Sequence, residues 1–281
     1  MRQRLFRRTV LQLQGGLGNQ LFQLAVGLKI ARERNSTLIV DRFSYLRPDM
    51  REYELEIFEN KLKFKSTILG RVYFRPFKLI AEGKDFESFA AAIPDCSILK
   101  LKGYFQNPII APAVIREISD HLRALKDKYV AESCKCPRDH VGVHIRRGDY
   151  LSIKVNATNF GVLSNEYYIQ AMSSYDVSKV HFLLYCEDDI DIKNNFPENL
   201  CISKAISQEE PVNLLVNMIQ NKSFIMSNSS LSWWAAKCIQ QNNSASKIVA
   251  PSTWFRGDVR SNVMIERDWT TQPVEWLEEN E

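Results

Sequence analysis

The chain has 281 residues, 45% hydrophobic and 25% charged, which leaves room for one large domain or two modest ones. Its 37 basic and 33 acidic residues give a net charge of only +4, which argues against a nucleic-acid binder built on a basic surface. Six cysteines without a CxxC pair exclude metal-ligand spacing and a disulfide framework. The start is basic (Arg2, Arg4, Arg7, Arg8), but no long apolar run follows, so neither a signal peptide nor a membrane anchor is expected. It reads as a solvated end, with contact to an anionic membrane surface as the alternative. The sequons include Asn35, Asn156 and Asn228, and the last falls where a glycan would be disruptive. A bacterial cytosol fits best, with the periphery of the inner membrane as the variant.

In chain order, Thr9 to Gln14 reads as a strand that meets Gly15-Gly16-Leu17-Gly18-Asn19-Gln20. Leu21, Leu24, Ala25, Leu28 and Ala31 then repeat at helical spacing, and Thr37 to Val40 is a second strand ending at Asp41. Strand, glycine turn, helix and strand make an α/β layer unit. Residues 45–95 mix aromatic and basic side chains and read as short helices and loops. Ile98 to Tyr104 is a strand, and Pro112 to about Val130 a helix. Ala131 to Asp139, polar and broken by Pro137, is the candidate linker. Beyond it come strands at 141–150, 180–185, 201–202, 222–226 and 247–250. Helices are expected near 165–174, over 211–220 and over Leu231 to Cys238. That alternation is typical of a doubly wound nucleotide-binding domain.

Three constellations carry chemistry. Gly15, Gly16 and Gly18 let backbone amides approach a ligand at a helix N-terminus, and Asn19 and Gln20 add two side-chain amides. The spacing is neither GxGxxG nor a Walker loop; a tight turn would explain one or two of the glycines but not the amides. In Val141-Gly142-Val143-His144-Ile145-Arg146-Arg147-Gly148-Asp149-Tyr150, the apolar side chains at 141, 143 and 145 share one face. His144 and Arg146 take the other. Two arginines at a strand end can neutralise a departing diphosphate without a metal, which points to a transferase using an activated sugar. Asp149 is either a base for an attacking hydroxyl or an ion-pair partner orienting an arginine. Asn228-Ser229-Ser230-Leu231-Ser232-Trp233-Trp234 follows a strand and opens a helix. It is a second anion site or an ordinary capped helix over core tryptophans. The rival is Asp189-x-Asp191, in an acidic loop that either holds a metal or is simply solvated.

These residues resemble the bacterial α-1,2-fucosyltransferases of glycosyltransferase family 11. The resemblance rests on Gln14 to Gln23, Gly103-Tyr104-Phe105-Gln106, His144 to Tyr150, Glu166-Tyr167-Tyr168 and Asn228 to Ala236, in family order. It implies an α/β GT-B fold with two Rossmann-like domains facing a cleft: an acceptor-side domain over 1–136 and a GDP-fucose-binding domain over 137–281. It implies an inverting transfer of L-fucose from GDP-β-L-fucose to the 2-hydroxyl of a galactose, with no metal or other cofactor. The acceptor would be a galactose-terminated oligosaccharide or a lipid-linked glycan, as in O-antigen or polysaccharide synthesis. Arg146 and His144 would serve catalysis with Asp149 and Asn19. Arg146, Arg147, Asn228, Ser229, Ser230, Ser232, Gly16 and Gly18 would hold the donor. Two departures stand out: Phe160-Gly161 replaces the usual His-Gly, and Leu214 stands near a usual acidic position. A different nucleotide-sugar donor, or a binding protein without turnover, are the alternatives.

Overall fold

In a computed structural model, the residues described are 7–47, 51–69, 77–80, 93, 95–106, 112–129, 140–147, 158, 160–186, 195–206, 210–256 and 264–277. The side chains of 77–80, 112 and 203–206 are not included. The chain divides into two compact units, Met1–His121 and Leu122–Glu281. The candidate linker at 131–139 lies outside the described residues.

The first unit opens with β1 (Arg8–Gln12), α1 (Leu17–Glu33) and β2 (Thr37–Asp41), as the apolar pattern predicts. Short 3-10 turns at Phe43–Leu46 and Leu55–Phe58 and the one-turn α2 (Glu59–Leu62) lead to β3 (Lys65–Thr67). β4 (Phe77–Ile80) and β5 (Ile98–Lys102) complete a sheet in the order β3-β2-β1-β5-β4, parallel throughout. β3 and β4 fall in the stretch expected to hold only helices and loops. β1 is central and buried on both faces through Val10 and Leu11, which is why it reads as an apolar run. Leu21, Leu24 and Leu28 of α1 are also fully or almost fully buried. Each such side chain contributes roughly 1.5–3 kcal/mol. α3 (Pro112–Ala124) follows, burying Val114, Ile115, Ile118 and Leu122. The expected single helix breaks at Leu125, before the one-turn α4 (Lys126–Tyr129).

The second unit contains β6 (His140–Ile145), α5 (Asn165–Ser173), β7 (His181–Cys186), β8 (Ile202–Ile206) and α6 (Pro211–Met218). β9 (Ser223–Ile225), α7 (Ser230–Asn242), β10 (Ile248–Pro251) and β11 (Thr270–Gln272) complete it. Its six strands are parallel in the order β11-β10-β9-β6-β7-β8. This is the doubly wound dinucleotide-fold order, reversing direction between β6 and β9. Val141, Val143 and Ile145 pack with Tyr167, Tyr168 and Met172 of α5 and Phe182 of β7. The opposite face of β6 is closed as well. A Cβ on Gly142 would lie 2.7 Å from the Asn221 side-chain nitrogen and 2.9 Å from Phe224, so only glycine fits there.

Candidate active site

Ligands of open α/β sheets bind beyond the carboxyl ends of the strands where the strand order reverses. In the second unit that point lies between β6 and β9. β6 runs directly into Arg146 and Arg147, both partly exposed. The Arg147 guanidinium donates to Asn165 Oδ1 at 2.5 Å. Asn165 opens α5, whose cap is Ser164, accepting from the Tyr167 amide at 3.4 Å. The Tyr167 hydroxyl donates to the Met226 carbonyl at 2.8 Å, just beyond β9. Tyr168 is fully buried beside it, the two rings 4.9 Å apart and nearly perpendicular. Burial pushes the Tyr168 hydroxyl pKa upward, while the Arg147 charge and the Arg146 backbone oppose it. Asn165 and Tyr167 thus tie both strand ends of the reversal point to one helix.

From β9 the chain passes through Met226, Ser227 and Asn228 into α7. Ser229 takes the N-cap position in extended conformation, but no side chain caps the helix. The first-turn N–H groups therefore point outward with the positive end of the helix dipole, an arrangement suited to an anion. The Ser232 hydroxyl, fully buried, accepts from the Ser227 amide at 3.0 Å and closes the strand-to-helix turn. The Asn228 amide lies within 2.8 Å of the Phe160 carbonyl, 3.2 Å of Gly161 and 3.3 Å of Trp254. Asn228 and Ser232, expected to contact the donor, spend these groups on protein; Ser229 and Ser230 stand at the helix mouth. Trp233 and Trp234 are fully buried core residues.

His144 is 0% exposed, because β6 is covered on both faces. Its Nδ1 lies 3.3 Å from the Ser227 hydroxyl. Burial first, and the Arg146 charge second, lower its pKa from 6.5 to about 3, so the imidazole is neutral near pH 7. The sequence pattern placed it beside Arg146 at the diphosphate; the structure sets it one layer beneath, against the turn that carries α7. Asp149 and the acidic loop at 187–191 lie outside the described residues. Among the described residues no three His, Cys, Asp or Glu side chains gather to hold a metal. No described helix is long and apolar enough to cross a membrane.

In the first unit the order β3-β2-β1-β5-β4 does not turn back on itself as it does between β6 and β9; the corresponding groups stand beyond the carboxyl ends of the neighbouring strands β1 and β5. Gly15, at φ +80°, makes the turn after β1, and a Cβ there would sit 2.7 Å from Asn19 Nδ2. Its carbonyl accepts from the Tyr45 hydroxyl at 2.8 Å and from Gln20 Nε2 at 3.0 Å. Gln20 is fully buried and also bonds the Glu52 carbonyl and the Glu54 amide. Of the two amides expected to face a ligand, only Asn19 remains partly exposed. Gly16 is an uncapped N-cap for α1, and Gly18 lies buried in the first turn. Arg51 Cγ lies 4.0 Å from the position of a Gly16 Cβ. Asn19 Oδ1 accepts from Gln106 Nε2 at 2.7 Å, joining the segments that follow β1 and β5. Phe105 just before it has φ +51°, a left-handed conformation that costs a phenylalanine roughly 1–2 kcal/mol. Sequence reasoning did not find Tyr45, Arg51 or Asn165. Nothing local marks them; each matters only through a partner far away in the chain.

Across 87% of this chain and 97% of its own, the fold matches the crystal structure of POFUT1 in complex with GDP, at a TM-score of 0.50 and 12% identity. Two α/β units, each built on a parallel sheet, make the GT-B fold. The chain belongs to glycosyl transferase family 11, whose model matches residues 5–272. It is 29% identical to an Escherichia coli alpha-1,2-colitosyltransferase, over 88% of this chain and 92% of that one. It is 25% identical to the Escherichia coli O-antigen biosynthesis glycosyltransferase WbnK, over 90% and 97%.

Proposed function

We propose that the chain is an inverting, metal-independent galactoside 2-α-L-fucosyltransferase. It moves L-fucose from GDP-β-L-fucose to the 2-hydroxyl of a galactose in a cell-surface glycan. The observation that carries this reading is the pairing of Arg146 and Arg147 at the end of β6 with the uncapped N-terminus of α7 across one reversal point. Direct displacement at the anomeric carbon needs a neutralised leaving group and an aligned hydroxyl. Arg146 neutralises the developing charge on the diphosphate, and Arg147, braced by Asn165, supports it. Ser229, Ser230 and the free amides of α7 take the remaining oxygens. Gly16, Gly18 and Asn19 belong to the side that receives the sugar and its acceptor. Asp149, the carboxylate nearest the arginines in sequence, accepts the acceptor's proton. The acceptor is a galactose-terminated oligosaccharide or a lipid-linked glycan, met in the bacterial cytoplasm or at the inner membrane.

A second reading changes only the sugar. One relative transfers colitose, the 3-deoxy form of L-fucose, by its name. The difference is a single hydroxyl on the ring, which the diphosphate site does not sense. Purified protein, GDP-fucose and a panel of β-galactosides in EDTA test the first reading, with the product linkage read by NMR. Fucα1-2Gal is the expected product. Transfer from GDP-colitose alone selects the second reading, and activity that disappears on chelation contradicts both.

A further inference from the structure

The Asn19 side-chain amide, just after β1, is held on one side. The Oδ1 side of this amide is taken by Gln106, 87 residues away in the chain. The Asn19 main-chain carbonyl accepts from Gln23 Nε2 at 3.0 Å, which fixes the first turn of α1 from behind. Gly15 leaves no Cβ beneath the amide nitrogen. No described residue accepts from Nδ2, so the amide is held on one side and presents a free N–H₂ on the other. The strand-end turn supplies the fourth constraint. A bulky residue at φ +51° persists only where surrounding structure over-determines it, and such strain gathers at sites where geometry matters. Here the strained residue stands immediately before Gln106, and the side chain of Gln106 reaches from the turn after β5 to Asn19 after β1.

We propose that Gln106 is a positioning residue, whose donated hydrogen bond sets the rotamer of the Asn19 amide so that its nitrogen faces substrate. The inference rests on the transferase reading above and deepens it. An amide that could rotate would present N–H₂ and C=O in turn, and only one of them suits an oxygen of a sugar or phosphate. Asn19 then acts as a neutral donor to a substrate oxygen, and Gln106 touches no substrate itself. The lock depends on the direction of the bond rather than on the volume of the side chain, which separates it from a packing role. Glutamate has the shape of glutamine but can only accept when ionised, so it draws Asn19 Nδ2 inward and turns the carbonyl out. Lysine has a different shape but can only donate, so it keeps the amide as it is.

The test compares Gln106→Glu and Gln106→Lys with the wild type, reading kcat and KM for both substrates and the melting temperature. The lock predicts that Gln106→Glu loses roughly 10- to 100-fold in kcat, as expected when a reacting group is misplaced. Gln106→Lys retains more activity than Gln106→Glu, although it is the poorer steric match. A packing role predicts the reverse order, tracking the melting temperature, and that result overturns the proposal. A Gln106→Glu variant with wild-type kcat overturns it equally. A second arm needs no turnover: in ¹⁵N-labelled protein, one Gln106 side-chain amide proton should be shifted downfield and should move in Asn19→Leu. Its absence refutes the lock even if the donor proves to be a sugar other than fucose. Wild-type protein that transfers nothing from GDP-fucose refutes the donor reading and leaves this arm to decide the lock.

Discussion

The strand ends at the centre of the two sheets are built from different materials. Between β6 and β9 stand two arginines, an open helix N-terminus and serine hydroxyls, resting on a neutral buried histidine. Beyond β1 and β5 the hydrogen-bonded groups at the turn are neutral, an asparagine held by a glutamine and a backbone carbonyl held by a tyrosine and a second glutamine, with the stem of Arg51 approaching Gly16. In the proposed transfer, charge suits the place where charge develops, because a fixed cation stabilises a leaving diphosphate most strongly when the bond breaks. Neutral amides suit alignment, since they orient hydroxyls without binding one ionic state. Two parallel sheets thus carry different side-chain chemistry in the residues that follow their central strands.

Breaking the cationic half should cost most. Arg146→Ala is expected to lower kcat by roughly 100-fold or more, as removal of a fixed transition-state donor does, with the melting temperature almost unchanged. Arg146→Lys should be nearly as damaging, because a point charge does not reproduce the guanidinium fork. Steady-state kinetics beside thermal unfolding check both. On the neutral half, Gly15→Ala forces a Cβ into the Asn19 amide and strains a positive φ. Its kcat should fall by roughly 10-fold, with KM for the donor little changed.

The scaffolds beneath the two sites differ in what they tolerate. Asn228→Asp sets a carboxylate against the carbonyls of Phe160, Gly161 and Trp254. Stability should fall by roughly 2–3 kcal/mol in urea unfolding, since one partner of a buried network is replaced by a repelling one. His144 adds a pH dependence. Its pKa is near 6.5 unfolded and about 3 folded, so the unfolded chain binds the proton more tightly. The contribution of this residue is fully present above pH 6.5 and is lost as the pH falls toward 3. By pH 4.5 the loss should be on the order of 2 kcal/mol, and His144→Gln should flatten that slope. The smallest effect expected is that of Ser229→Ala. It removes one hydroxyl at the mouth of α7 and should raise the donor KM a few-fold, about the value of one hydrogen bond.

The local pattern made β1, α1, β2 and β6 legible, because a central parallel strand is apolar throughout and the helix beside it repeats its leucines. β3 and β11 were not legible: Lys65–Thr67 and Thr270–Gln272 are short, polar strands at sheet edges, held by pairing rather than by composition. The positions of Arg146 and Arg147 at the end of β6 and of the glycine turn after β1 were legible in the sequence. The inward roles of His144, Gln20, Ser232 and Asn228 were not, since each is set by what covers it. Asn228 shows this best: its motif reads as a helix cap, yet its amide is spent on carbonyls 67, 68 and 26 residues away.

The account turns on fixed cations at the end of β6 holding the donor's diphosphate. Calorimetric titration of GDP into the wild type and into Arg146→Ala, both in EDTA, tests this directly. The expected result is metal-free binding of GDP by the wild type, weakened at least about 10-fold in the variant, the value of a charge-assisted hydrogen bond. Equal affinity in the two proteins, or binding that appears only when a divalent cation is added, contradicts it.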